Sequence, residues 1–261
     1  MIVPLARLGY ASKALIYAIV GGLAFAAAMN RGGAITDRSG ALRAILSRPF
    51  GNTVLFVLAA GLCGYAVWRV LDAILDPDYH GTGFSGLVTR VGNVVRAAIY
   101  GGLGVEAFRL AAGLRTSRGG DTRMWAARVL EWPFGEWLLL AAGAIVVAYG
   151  IWQIWSAAAG RPDPQIDLSP IPFHLRDPLV KIGRFGVAAR AVIIIVLGFF
   201  LGRAAMQHDP GVARGMRESI LDLLGVFEGR WVLVVIGLGL TAYAVDQAIH
   251  ARCRRIRSPI K

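Results

Sequence analysis

Cysteine is nearly absent from this chain: Cys63 and Cys253 are its two. One lies in an apolar run and the other in a basic tail. Two such thiols allow neither a disulfide framework nor a paired-cysteine metal motif. Histidine is scarce too, and His80, His174, His208 and His250 are scattered. Asp76, Asp78 and His80 alternate near one another, but that spacing on a loop is a weak metal signal. There is no Ser–His–Asp set, Walker loop or dinucleotide fingerprint. Gly101, Gly102 and Gly104 fall inside an apolar run, where glycines bring helices together and do not cradle phosphate. The sequence therefore predicts no metal, no cofactor and no catalytic residue.

Acidic residues are the next shortage. Asp and Glu number 16 against 28 Lys and Arg, leaving a net charge of +12. The excess does not point to nucleic acid, because the arginines stand at the ends of apolar runs and form no compact basic domain. Charge is missing altogether from residues 14–30, 49–68 and 137–160. Runs of that length can cross a hydrocarbon core of about 30 Å as helices. With 56% hydrophobic and only 17% charged residues, the chain is expected to be an integral membrane protein. Residues 24–26 loosely resemble a signal-cleavage site. The first apolar run has two later counterparts, however, so it is read as a mature helix.

Those counterparts are the strongest pattern present. Arg7, Gly9, Lys13 and Gly21 recur at a shift of 83 as Arg90, Gly92, Arg96 and Gly104. A further shift of 94 gives Arg184, Gly186, Arg190 and Gly198. Gly51, Gly135 and Gly229 each precede a tyrosine by 14 residues, at Tyr65, Tyr149 and Tyr243. Pro49, Phe50 and Gly51 return as Pro133, Phe134 and Gly135, then degenerate to Phe227, Glu228 and Gly229. Trp68 matches Trp152, and Asp246 takes that place in the third copy.

Each copy reads as helix, connector, helix. The expected fold is all-α: an integral membrane bundle of six transmembrane helices, formed by three parallel two-helix repeats. The helices are placed at 14–30, 51–70, 96–114, 136–158, 189–207 and 230–250, so odd helices begin at the basic motif. Connectors around 41–46, 124–130 and 220–224 are apolar stretches broken by single charges, as short interfacial helices are. Ser39 and Asp121 are N-cap candidates for the first two. Parallel repeats are related by an axis along the membrane normal, here a pseudo-threefold. The chain is one membrane domain over 1–261, with repeats at 4–78, 87–160 and 178–257. Residues 161–177 form a stiff linker within a segment carrying Pro162, Pro164, Pro170, Pro172 and Pro178. Tyr65, Trp68, Tyr149, Trp152 and Trp155 are assigned to an aromatic belt. Lys and Arg divide almost evenly between the two sides, and the cluster at 252–257 tips both termini to the cytoplasm.

The Arg-x-Gly-x-x-x-Lys/Arg entry, the Pro-Phe-Gly corner and the Tyr-x-x-Trp exit resemble domain of unknown function 1206. That bacterial membrane family is built from three copies of a two-helix unit, and the likeness covers about residues 4–250. It implies a plasma-membrane protein and brings no activity or catalytic residue.

Candidate sites are intramembrane charges, which are costly in lipid. Glu106 stands 10 residues after Arg96, about 15 Å along a helix and near mid-bilayer on this reading. It either pairs with Arg109 or forms a proton-carrying site. Asp246 is the second candidate, expected near the inner interface. Arg7, Arg90 and Arg184 form one basic ring, and Lys13, Arg96 and Arg190 a slightly deeper one. At helix N-termini such rings suit anionic headgroups or an anionic solute, or they simply set topology. The functional expectation is a non-enzymatic membrane protein that organises the bilayer, interacts with lipid or stabilises a partner. The partner would be the bilayer, including anionic lipids; no protein partner is named. The alternatives are a small-solute or proton-coupled transporter using Glu106, and a membrane enzyme acting on lipid.

Overall fold

The computed structural model describes residues 2–30, 33, 35–75, 84–114, 122–160, 166–213, 215–226 and 230–254. The third corner at Phe227, Glu228 and Gly229, the loop with Asp76, Asp78 and His80, and the cap candidate Asp121 lie outside them. Among the described residues, six long helices are separated by three short ones, plus one 3-10 turn at Pro210–Val212. The long ones are α1 (Ile2–Ala28), α3 (Gly51–Leu75), α4 (Phe84–Ala111), α6 (Gly135–Ala158), α7 (Phe173–Met206) and α9 (Arg230–Cys253). The short ones are α2 (Arg38–Leu46), α5 (Thr122–Leu130) and α8 (Met216–Val226), where the connectors were expected.

Five of the long helices are long and apolar enough to cross a membrane. The exception is α4, which carries Arg90, Arg96, Glu106 and Arg109. The odd helices correct the sequence reading. They begin 11, 12 and 17 residues before Lys13, Arg96 and Arg190, so the basic motif lies well inside them. Nothing in the motif stops a helix, and one continues through Pro178. Because α7 starts at Phe173, the end of the expected 161–177 linker is helical.

The Phe-Gly corner has a steric cause. A Cβ on Gly51 would lie 2.3 Å from the Ile45 carbonyl oxygen, and one on Gly135 1.8 Å from that of Val129. Only glycine lets the even helix start so tightly against the short helix before it. Phe50 takes a left-handed backbone (φ 62°) and leaves its ring 84% exposed. The cap of α2 is Asp37, whose carboxylate accepts from the Gly40 N–H at 2.8 Å. Ser39, expected in that role, is two residues further on and engages Glu106 instead.

The long helices are joined in an arc, α4–α3–α1–α9–α7–α6. Between repeats the contacts rest on small residues. Gly21 lies against Gly237 and Thr241 of α9, Gly104 against Cys63 of α3, and Gly198 against Gly143 of α6. Where lipid is as apolar as leucine, such close backbone approach is what holds helices together. Inside the first and third repeats the same device recurs. Cβ atoms on Gly9 and Gly186 would come within 2.3 Å of Tyr65 and 2.1 Å of Tyr243. The second repeat departs from this: among the described residues α4 and α6 do not pack together. Gly92 has nothing nearer than the Arg96 guanidinium at 4.0 Å. The main core draws on α1, α2, α3, α4, α7, α8 and α9 but on no residue of α6. That helix is held by α7 and by a small separate core around Ala126, Leu139, Ala204, Ala205 and Ala213.

Candidate functional site

The second basic set gathers among the repeat tyrosines, with Lys13 buried and Arg96 and Arg190 half-buried. Lys13 is 5% exposed, and its ammonium lies 5.1, 4.8 and 4.8 Å from the ring centres of Tyr10, Tyr65 and Tyr100. Its one hydrogen bond is a long one, 3.5 Å to the Tyr65 hydroxyl. From α4, Arg96 donates to Asn93 Oδ1 at 2.9 Å and to the Tyr149 hydroxyl at 3.4 Å. From α7, Arg190 donates to the Tyr17 hydroxyl and to Gln153 Oε1, both at 3.3 Å, and lies over the Tyr243 ring at 4.9 Å. Each of the three cations thus meets the tyrosine of its own repeat.

The cations share one further property. Among the described residues no carboxylate forms an ion pair with Lys13, Arg96 or Arg190. Their acceptors are phenol and amide oxygens. Holding a buried cation such as Lys13 out of water costs several kcal/mol unless a charge repays it; cation–π contact returns only about 0.5–2 kcal/mol. Arg69 shows what repayment looks like. It pairs with Asp72 at 3.0 Å and also bonds Tyr65, Tyr10 and Asn93. Asn93 donates in turn to Asp72 at 2.9 Å, so its amide links the paired arginine to Arg96.

Placed mid-helix, these residues lie about 15 Å or more from the helix starts, by the rise of 1.5 Å per residue. The expectation that the ring uses helix N-terminal dipoles is therefore corrected: Lys13, Arg96 and Arg190 act through their side chains from mid-helix. The other basic set does not converge. Arg7 is exposed, Arg90 is half-buried, and Arg184 donates to the Gly160 carbonyl at 2.6 Å, tying the end of α6 to α7.

Glu106 does not pair with Arg109, which is exposed. Its Oε2 accepts from the Ser39 hydroxyl at 2.7 Å, and its Oε1 is buried without a hydrogen-bond partner among the described residues. Since α4 starts at Phe84, Glu106 is close to the connector end of the helix and apart from the cation set, not at mid-depth. Asp246 accepts from Gln247 at 2.8 Å and faces His250 Nδ1 at 3.5 Å, near the end of α9. The aromatic assignment also changes. Tyr65 and Trp68 are core residues, whereas Trp152 and Trp155 are exposed.

Several participants were not singled out from the sequence: Tyr10, Tyr17, Tyr100, Arg69, Asp72, Asn93 and Gln153. The signal was in the repeat. Tyr17 and Tyr100 are equivalent positions, as are Arg69, Gln153 and Gln247. Arg254 enters the same region from the tail, bonding the Tyr10 hydroxyl and lying 5.2 Å from the Trp68 ring. A separate, mainly apolar groove of about 470 Å³ runs between Pro170, Pro172, Leu179, Val245 and Ile249. Among the described residues no group of three or more His, Cys, Asp or Glu could hold a metal ion.

The family described as Domain of Unknown Function (DUF1206) matches residues 8–76, 91–160 and 185–254, one match per repeat. An uncharacterised protein of Bacillus subtilis (strain 168), YxxB, is 34% identical over 239 residues, covering 92% of this chain and 86% of its own length. No solved structure matches the chain.

Proposed function

This chain belongs to the family described as Domain of Unknown Function (DUF1206), and from that premise we propose that it is a non-enzymatic membrane protein that binds an anion at its centre. All six long helices cross the bacterial plasma membrane in this reading, with both termini in the cytoplasm and the three repeats parallel. The observation that carries it is the meeting of Lys13, Arg96 and Arg190 without a carboxylate. A bound phosphate, sulfate or carboxylate would supply the missing charge and accept the donors that the tyrosines satisfy incompletely. An anionic headgroup does the same, which makes the protein one that interacts with or organises lipid. Native mass spectrometry of gently extracted protein tests this. A retained anionic lipid or small anion, lost in Arg96→Gln/Arg190→Gln, supports the reading. A clean, empty protein that gains nothing from added anionic lipid or phosphate removes it.

A transport reading is favoured by one observation, the buried Oε1 of Glu106 without a partner. A proton carried through the bundle would bind at that oxygen. Proton flux in liposomes that is identical in Glu106→Gln and the parent protein would end that role.

A further inference from the structure

The opening between α4 and α6 is written into the sequence. In the first repeat a Cβ on Gly61 would meet the Ser12 hydroxyl at 2.3 Å, and in the third one on Gly239 would meet Ala189 at 2.2 Å. A glycine on the even helix faces a small residue on the odd one, and the helices close. The equivalent pair in the second repeat is Val95 and Ile145. Two branched side chains cannot occupy the space of a serine and a glycine, so the seam stays apart. Both are exposed, Val95 at 51% and Ile145 at 68%. Gly92 remains as the relic of the closed contact. Just past it stand Arg96 and Tyr149, the one pair whose side chains hydrogen-bond across the opening among the described residues. Trp152, stacked on Tyr149, is exposed, whereas its counterpart Trp68 is 5% exposed in the core.

We infer that this opening is a lateral portal for an anionic phospholipid, with the acyl chain against Val95 and Ile145 and the phosphate at Arg96, Arg190 and Lys13. The inference rests on the reading of the cation set as an anion site and adds the route and the class of ligand. A water-borne anion needs no apolar side entrance. A neutral lipid leaves the three cations unbalanced. An amphiphile with a negative head matches both surfaces at once, as apolar contact along the tail and charge-assisted hydrogen bonds at the phosphate.

Full-length protein, extracted from membranes containing phosphatidylglycerol and phosphatidylcholine, is read by native mass spectrometry. Val95→Ser/Ile145→Gly restores the residue pair of the first repeat and should close the seam. Ile145→Trp should fill it instead. Both are expected to lose bound phosphatidylglycerol at least tenfold while keeping the parental melting temperature within a few degrees. Two variants with opposite steric means guard against a change that merely unsettles the fold. Parental retention of phosphatidylglycerol in both overturns the portal and leaves the central anion site standing. Parental retention in Arg96→Gln/Arg190→Gln overturns the anion site itself. Equal retention of phosphatidylcholine, or a dimer that the closing variant splits, overturns the anionic lipid as occupant.

Discussion

Ser39 on α2 donates its hydroxyl to Oε2 of Glu106 on α4, across 2.7 Å and 67 residues of chain. The bond fastens the connector helix of one repeat to the first helix of the next. Hydrogen bonds to charged groups contribute about 1.5–3 kcal/mol, less when partly hydrated, so Ser39→Ala should cost about 1–2 kcal/mol. A double-mutant cycle with Glu106→Gln, followed by reversible unfolding in mixed micelles, measures the coupling. Independent effects of the two changes would place the anchoring of α2 elsewhere, for instance in its buried Leu42 and Ile45.

The three repeat glycines should respond unequally. Gly9→Ala and Gly186→Ala drive a methyl into Tyr65 and into the backbone at Tyr243. Overpacking of this kind costs about 1–3 kcal/mol. Gly92→Ala meets open space and removes a poor helix former, so it should be neutral or stabilising by up to about 1 kcal/mol. Melting temperatures of the three variants decide the matter. Equal losses at all three positions would mean that α4 and α6 close on Gly92 in the membrane.

Lys13→Met tests the cost of the central charges. The side chains are similar in length, and the change removes an ammonium with one long hydrogen bond and no carboxylate. Replacing buried ions by apolar groups is often neutral or stabilising by about 1–4 kcal/mol. The variant should therefore melt no lower than the parent in the absence of anion, and it should bind less anionic lipid. A large loss of stability would show that the Tyr10, Tyr65 and Tyr100 cage alone compensates the charge.

The tryptophans report the bilayer. Trp125, Trp132, Trp137 and Trp231 are exposed on or beside the short helices and the starts of the even helices, where an interfacial belt is expected. In single-tryptophan proteins these four should be quenched most by lipids brominated near the headgroup, and Trp68 hardly at all. Strong quenching of Trp68 would contradict its place beneath Tyr10 and Tyr65.

Much of this architecture was legible because the repeat is in the chain. The short helices, the starts of the even helices and the glycine seams all follow from spacing. The odd helix starts were not legible, since a hydropathy reading stops at a charge whereas a helix does not. Arg96 has its neighbours Asn93 and Tyr149 to receive its donors, and so the helix runs on through it. Helical spacing offers Arg109 as one partner for Glu106, but it sees only the residue's own helix. Ser39 is distant in sequence and became visible only once α2 lay on α4.

By itself, then, the sequence determined the number of units, the family and the equivalence of Lys13, Arg96 and Arg190. It also held the Val95 and Ile145 pair that keeps one seam apart, because side-chain volume is a property of composition. The tertiary structure decided what those residues mean together. Whether a cation is a topology signal at an interface or an unbalanced charge in a core depends on which side chains surround it. That is set by helices meeting across the bundle, and no local period in the chain encodes it.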